Sequence, residues 1–304
     1  MIRLVYIFLL VLVIKTSLLA QQDPQYSQYM FNQLIINPVY TGSKEALTLG
    51  LSNRNQWVSM PGAPKTISLF LHGPTKSKKF GLGGHIIQES IGPVKWTGIY
   101  GDFAYRIVLP KGKLSFGLSA GIIGCTFDLS KMKYKDISEP VLSTTASYGT
   151  IDFNTGFYYY TNSFYVGGSL THINAAKLSN STNFNAFQLN SHSFIYSGKA
   201  WQLNDNLVFN PSIMLKLLPK SLGNSVDLNA NFLIKNCLWL GLSARYKYGL
   251  VFLAQYLISD KFKIGYSYDM GYNKIGTTGK ATHEIMLSYD FNTFKPKLLS
   301  PRFL

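Results

Sequence analysis

The stretch KFKIGYSYDMGY, residues 261–272, alternates from end to end. Phe262, Ile264, Tyr266, Tyr268, Met270 and Tyr272 fall on one side of an extended chain. Lys261, Lys263, Gly265, Ser267, Asp269 and Gly271 fall on the other. Successive side chains of a strand point to opposite faces, so this period of two specifies a strand with one apolar and one polar face. HEIMLSYDF (283–291), KLSFGLSAGII (113–123), VDLNANF (226–232) and LWLGLSARYKY (238–248) read the same way. Counted between turn signals, such segments number about 14. Each is close to the roughly 9–11 residues that a tilted strand needs to cross a bilayer.

Alternation alone would also suit a soluble sandwich. Two features favour a transmembrane antiparallel β-barrel. The polar faces carry Gly, Ser, Asn and charges of both signs, as a wet lumen requires: Asp102, Arg106, Asp227, Arg245, Lys247, Lys263, Asp269, Glu284 and Asp290. The apolar faces carry Tyr, Phe and Trp near strand ends, where aromatic girdles lie. The connections also sort by length. TKSKK, PKGK, TNS, LNDN, KN and SDK are tight, whereas 129–148, 174–188, 218–224 and 273–281 are long. KYG near Tyr248 is short where a long loop is due. Short periplasmic turns and longer outer loops place both chain ends in the periplasm.

The composition agrees. Tyr and Phe number 20 each, and only 14% of residues are charged, against about 25% in ordinary soluble domains. Residues 1–20 read as a cleaved signal peptide: Arg3, an apolar run from Leu4 to Ile14, and a small residue at Ala20. That run is too short to span a membrane. The net charge is +15, or two less once Arg3 and Lys15 leave with the leader. For an exported chain this excess suits anionic lipid or an acidic protein, not nucleic acid. Lys76, Lys78, Lys79, Lys111 and Lys113, with Lys235 and Lys261, fall in turns of the expected periplasmic side and make a basic rim. Solvated turns that blunt aggregation would use the same residues. Cys125 and Cys237 are expected at opposite rims, too far apart for a disulfide, whose Cα atoms lie within about 7 Å.

Signals for chemistry are few. His72, His85, His172, His192 and His283 are scattered, with no ligand at metal-binding spacing, so no metal and no cofactor is expected. No G-x-S-x-G elbow is present. GLGGHII at Gly81 lacks the Lys-Ser/Thr of a phosphate loop, and its glycines suit strand curvature.

The segment after the leader, AQQDPQYSQYMFNQLIINPVYTGSKE (20–45), is rich in Gln, Tyr and Asn and nearly uncharged. Asp23-Pro24 is a helix-start signal and Asn37-Pro38 a stop. Tyr26, Tyr29, Met30 and Leu34 share a helical face. A short amphipathic helix is expected here, tucked into the barrel mouth or offered to a partner.

NQLIINPVYTGSKE (32–45) followed by RNQWVSMPGAPKTISLFLHGP (54–74) resembles the PorP/SprF family of Bacteroidetes outer-membrane proteins. The resemblance continues through FGLGGHIIQESIGPVKWTGIYGDFAYRI (80–107), LSFGLSAGI (114–122), DFNTGFYYYTNSFYVGGSLTHIN (152–174), HEIMLSYDF and the tail SPRFL. The positions that carry it are Asn37, Pro38, Gly42, Arg54, Gln56, Trp57, Gly62, Pro64, Thr66, His72, Pro74, Gly92 and Pro93. Departures fall at Val39, where the family often has a small residue, and at Glu89-Ser90, where an Asp is usual. They bear on partner contacts at those loops.

The resemblance implies a non-enzymatic outer-membrane component of the type IX secretion system, associated with protein secretion and gliding motility. It implies lipid as surroundings. It also implies a secreted surface protein held at the cell surface through its C-terminal signal domain, and contact with periplasmic secretion-ring subunits. The motif positions are candidates for binding or for defining the fold, with Trp57 a candidate interface anchor. The expected organisation is a signal peptide (1–20), a plug segment with a short helix (21–44), an all-β barrel (45–292) and a periplasmic tail (293–304). A porin or solute channel is the alternative that lumen charges alone leave open.

Overall fold

The structure, a computed structural model, describes residues 24–44, 46–128, 146–179, 185–219 and 224–291. The expected signal peptide, its boundary with Asp23 and the tail lie outside the described residues, as do parts of three long loops. The strands are β1 (Thr48–Asn55), β2 (Lys65–Pro74), β3 (Phe80–Ile91), β4 (Val94–Leu109), β5 (Gly112–Phe127) and β6 (Ala146–Tyr160). They continue with β7 (Phe164–Thr171), β8 (Lys177–Ser179), β9 (Asn185–Gln188), β10 (His192–Lys199), β11 (Trp201–Asn204) and β12 (Leu207–Leu217). The last are β13 (Ser225–Ile234), β14 (Leu238–Arg245), β15 (Gly249–Leu257), β16 (Phe262–Gly271) and β17 (Thr282–Asp290).

All pairings are antiparallel between neighbours, and β1 closes on β17, with Thr48 opposite Asp290 on one side and His72 on the other. β11 continues β10 past Ala200 along the same partner, β12. β8 and β9 form a hairpin above the wall, and β10 pairs directly with β7 beneath it. Fourteen staves therefore make one closed barrel, as the alternation leads one to expect.

The period of two is realised inside out. In β1, Leu49 and Leu51 point outward and are exposed, while Ser52 and Arg54 point into the lumen and are buried. In β2, Ile67, Leu69 and Leu71 are outside, and Thr66, Ser68 and His72 inside. Ile99, Ile122, Ile151, Leu228 and Phe252 extend this apolar outer band around the barrel. A surface of this kind is stable only against hydrocarbon. One expected lumen charge is misplaced: Lys247 sits exposed in the β14–β15 turn at positive φ. The alternation of LWLGLSARYKY stops at Arg245, because that turn needs left-handed backbone.

Both ends of the barrel chain meet at one rim, where the Phe291 amide donates to the Leu47 carbonyl at 2.9 Å. This terminal rim also carries the tight turns after β2, β4, β6, β11, β13 and β15. Aromatic side chains encircle it, with Phe80 against Tyr105 (5.4 Å between ring centroids), Phe209 against Phe232 (4.9 Å) and Tyr289 against Phe291 (5.0 Å). The far rim is uneven. Staves β4 to β6, of 15 or 16 residues, stand taller than the 8 to 11 residues of most others. A two-residue turn, Gly92-Pro93, lies there among the longer loops. Cys125 is at the far-rim end of β5 and Cys237 in the terminal-rim turn after β13, and both are free thiols.

Residues 24–44 run inside the lumen, and the expected amphipathic helix is not formed. Only two 3-10 turns occur, Gln33–Ile35 and Pro38–Tyr40. The reason is the surroundings. Tyr26, Met30 and Leu34 are buried, but so are Ser27, Gln28, Asn32 and Gln33. With no solvent-facing side, the segment has no polar face for a helix to present. A tube of eight strands is filled by its own side chains, whereas a wider one leaves a channel or takes a plug.

Candidate functional site

The far half of the lumen is built around charge. Arg54 on β1 lies directly across from Glu284 on β17, and Arg245 on β14 across from Asp227 on β13. Arg54 donates to Asp269 at 2.7 Å and to Glu284 at 3.0 Å, all with side chains at most 1% exposed. Arg245 donates to Asp227 at 2.9 Å and lies 3.8 Å from Asp269. Buried charges are tolerable only when answered in this way. The segment enters the same cluster. The Ser27 amide donates to Glu284 at 2.8 Å, its hydroxyl to Asp269 at 2.7 Å, and Arg245 donates to the Tyr26 carbonyl at 3.1 Å.

The terminal half is a packed seat. Phe31 rests on Trp239, and Tyr40 meets Tyr158 edge-on at 5.5 Å. Asn37 caps the second 3-10 turn through the Val39 amide (3.0 Å), while its side-chain amide donates to the Phe157 carbonyl (2.9 Å) and the Tyr196 hydroxyl (3.0 Å). Pro38 occupies the first turn position, where no amide hydrogen is needed. His72 Nδ1 accepts from the Gly42 amide at 3.1 Å, and Arg106 donates to the Thr41 carbonyl at 3.1 Å. Gly42 has φ +71°, and a Cβ there would lie 2.9 Å from both the Gly73 carbonyl oxygen and Gly81 Cα. Pro74 ends β2 beside Gly81 in this corner. Burial holds the phenols of Tyr29 and Tyr40 above their usual range, so both stay neutral, and the Tyr29 hydroxyl accepts from the Asn229 side-chain amide at 2.8 Å. Burial lowers Lys44 to about 8, with Lys263 and Asp290 beside it.

The remaining motif positions gather at the far rim. The Gln56 amide closes the β1–β2 loop onto the Pro64 carbonyl at 2.9 Å. Trp57, at positive φ, donates its amide to Thr282 (3.1 Å) and lays its ring against Gly279 of a short helix, α1 (Lys274–Gly279). Val58 and Ser59 bond to Ala281 and Gly279 across the same seam. Gly62 and Gly92, both at positive φ, join two loops through a 2.8 Å backbone bond, and the Pro93 carbonyl receives the Asp128 amide. Thr66 donates to the buried Glu89 at 3.0 Å just beneath.

The motif set therefore divides. Asn37, Pro38, Gly42, His72 and Pro74 seat the lumen segment. Gln56, Trp57, Gly62, Pro64, Gly92 and Pro93 brace a far-rim platform, and Arg54 with Thr66 lies between. Trp57 is a loop-packing residue rather than part of the outer aromatic belt. Of the departures, Val39 and Glu89 are buried facing the lumen, and Ser90 is half-buried close to the Gly92-Pro93 turn. Sequence reading marked Asp227, Asp269 and Glu284 as lumen charges but not as partners of Ser27 and Tyr26. Nor did it mark the inward Tyr158, Tyr165 and Tyr196 of the seat. Lys76, Lys78, Lys79, Lys111 and Lys113 share the terminal rim with Lys235 and Lys261. Among the described residues no group of three His, Cys, Asp or Glu could hold a metal ion.

A family model described as type IX secretion system membrane protein PorP/SprF matches residues 18–289. The fold is similar to a structure titled CymD monoaromatic hydrocarbon channel, at TM-score 0.53 and 12% identity, over 90% of this chain and 95% of that chain. The Acinetobacter baumannii outer membrane protein Omp33 aligns at TM-score 0.47 and 9% identity, over 81% of this chain and 98% of that one. No curated protein matches the chain. At such identities the structural likeness speaks for the fold alone.

Proposed function

The chain belongs to the PorP/SprF family of type IX secretion system membrane proteins, located in the outer membrane, and from that premise we propose that it is a non-enzymatic docking barrel. It holds a secreted surface protein through that protein's C-terminal signal domain and contacts the periplasmic secretion ring. The observation that carries this reading is the filled lumen beneath a braced rim. Residues 24–44 occupy the interior, and the motif positions not spent on seating them stiffen one far-rim surface. Preorganised surfaces bind with less ordering cost. Short turns lie on the periplasmic side of such barrels, which would turn the basic terminal rim towards the ring and the platform towards the cell exterior.

Affinity purification of a tagged copy from mildly solubilised outer membranes tests the proposal, with mass spectrometry of what co-elutes. Recovery of a large secreted protein or of ring subunits is expected. Replacement of Lys76, Lys78 and Lys79 by Ser should reduce the ring subunits selectively. A partner-free barrel in repeated preparations would overturn the docking role.

The solute-channel reading draws on the polar lumen wall. Ser52, Ser68, Ser115, Ser119, Ser243, Ser267 and Ser288 all present buried hydroxyls without a protein partner among the described residues, groups suited to water. This reading requires the segment to leave. A folded barrel lacking residues 24–42 that stays silent in a planar bilayer would remove it.

A further inference from the structure

We propose that a cavity between the lumen segment and the tall wall is a receptor site for one compact, neutral aromatic ring. Its volume is about 110 Å³. An apolar cavity of about 150 Å³ stays dry and takes benzene, so this one suits a single ring with few substituents.

The wall chemistry is anomalous for this barrel. Around the rest of the far half the inward positions are mainly polar, such as Ser52, Arg54, Ser68, Ser267 and Asp269. Near the far-rim ends of β3, β4 and β5 they become Ile87, Trp96 and Ile123. Trp96 and Ile123 also pack against the small buried cluster of Cys125, Leu178 and Leu189, and Leu189 itself lines the cavity. The segment supplies Tyr26, Tyr29 and Ile35, and the opposite wall Phe194 and Met214. Aromatic faces and a thioether around a void of this size are the surroundings a flat π-system prefers, in offset or edge-on contact.

The charged and ionisable groups at the margin define the charge of the ligand, because each already has a partner. His85 is 2.8 Å from Asp102 and stacks on Tyr100 at 4.8 Å. His172 lies 2.9 Å from Asp152, which also accepts from the Tyr100 hydroxyl at 3.0 Å. Glu89 accepts from Thr66, Arg245 donates to Asp227, and Lys216 lies over the Phe194 ring at 5.7 Å. A ligand that brought its own charge would have to displace one of these partners. Apolar pockets with a few fixed polar groups at the edge are the common form of small-ligand sites. The site stands on the cavity and does not depend on the docking role.

The ring could arrive as a free molecule or as a side chain on a peptide. The test uses ¹⁹F line broadening on the full chain in detergent, with fluorobenzene for the first source and N-acetyl-4-fluorophenylalanine amide for the second. Broadening by at least one probe is expected. It should fall at least tenfold in Ile123→Trp and in Met214→Trp, which fill the void from opposite walls. Broadening of fluorobenzene alone assigns a free ligand, and of the amide alone a peptide side chain. Partition into detergent would broaden the signal equally in all three proteins, and that result, or no broadening in any, overturns the site. If one filled variant does not fold, the other decides.

Discussion

The wall of the barrel and the segment inside it are made by the same chain under opposite conditions. A stave such as β16 meets hydrocarbon on one face and the lumen on the other, so its residues divide cleanly into Ile264, Tyr266 and Met270 against Lys263, Ser267 and Asp269. Residues 24–44 meet protein on every side, and their buried set mixes Tyr26 and Leu34 with Gln28 and Asn32. One-sided burial writes a period into a sequence, whereas all-round burial in a polar tube writes only a composition. The segment also lacks ladder bonds to the wall. Among the described residues its backbone–backbone hydrogen bonds run within itself, as from Phe31 to Gln28 and Thr41 to Pro38. Its place depends on side chains of the wall.

The largest effect is therefore expected where wall and segment share charge. Arg54→Ala leaves Asp269 and Glu284 without their main cation in a buried site, a loss of about 3–5 kcal/mol. Urea unfolding of the barrel in lipid vesicles measures it. On the outer face, Leu69→Arg places a charge in the apolar band and should cost about 2–4 kcal/mol by the same assay. If the outer substitution proves the more damaging, the cluster does not organise the lumen and the contrast between the two regions fails.

That contrast also explains what could be read from the residues. The closed barrel of fourteen staves was legible because β1, β2, β16 and β17 alternate without interruption, and the terminal rim was legible from its tight turns. The helix over Tyr26 to Leu34 was misjudged because a face of Tyr, Met and Leu looks amphipathic only if the other side meets water. The motif positions were visible individually, but their division into a lumen seat and a rim platform depends on contacts such as Gly42 with His72 and Gly62 with Gly92. These pairs are about 30 residues apart, and no local pattern joins them. The aromatic seat was hidden for a related reason. In FYYY (157–160), Phe157 faces lipid while Tyr158 and Tyr160 face inward, and aromatic residues suit both places.

A smaller effect should come from a single anchor of the segment. Asn37→Ala removes a turn cap and the donor to the Phe157 carbonyl and the buried Tyr196 hydroxyl, at about 1–3 kcal/mol. Protease cleavage within residues 24–44 of the folded barrel should rise, while the wall stays resistant. Cleavage unchanged from the parent would mean that the aromatic seat alone holds the segment.

The mildest test concerns Lys44, which sits where the segment passes into β1. Burial lowers its pKa from 10.5 to about 8, with Lys263 opposing and Asp290 favouring its charge. A lysine whose folded pKa is depressed destabilises the seated state while charged, and the penalty is lifted as pH rises from the folded value towards the unfolded one. Seating should therefore strengthen by about 1 kcal/mol over the first unit above the folded value, roughly pH 8 to 9. The signature is the direction: the unfolding midpoint climbs with alkalinity over this window. Lys44→Met should flatten that slope, since nothing remains there to deprotonate. A slope that persists in the variant would assign the titration to another group, and the entry to β1 would then be as indifferent to pH as the outer face of the wall.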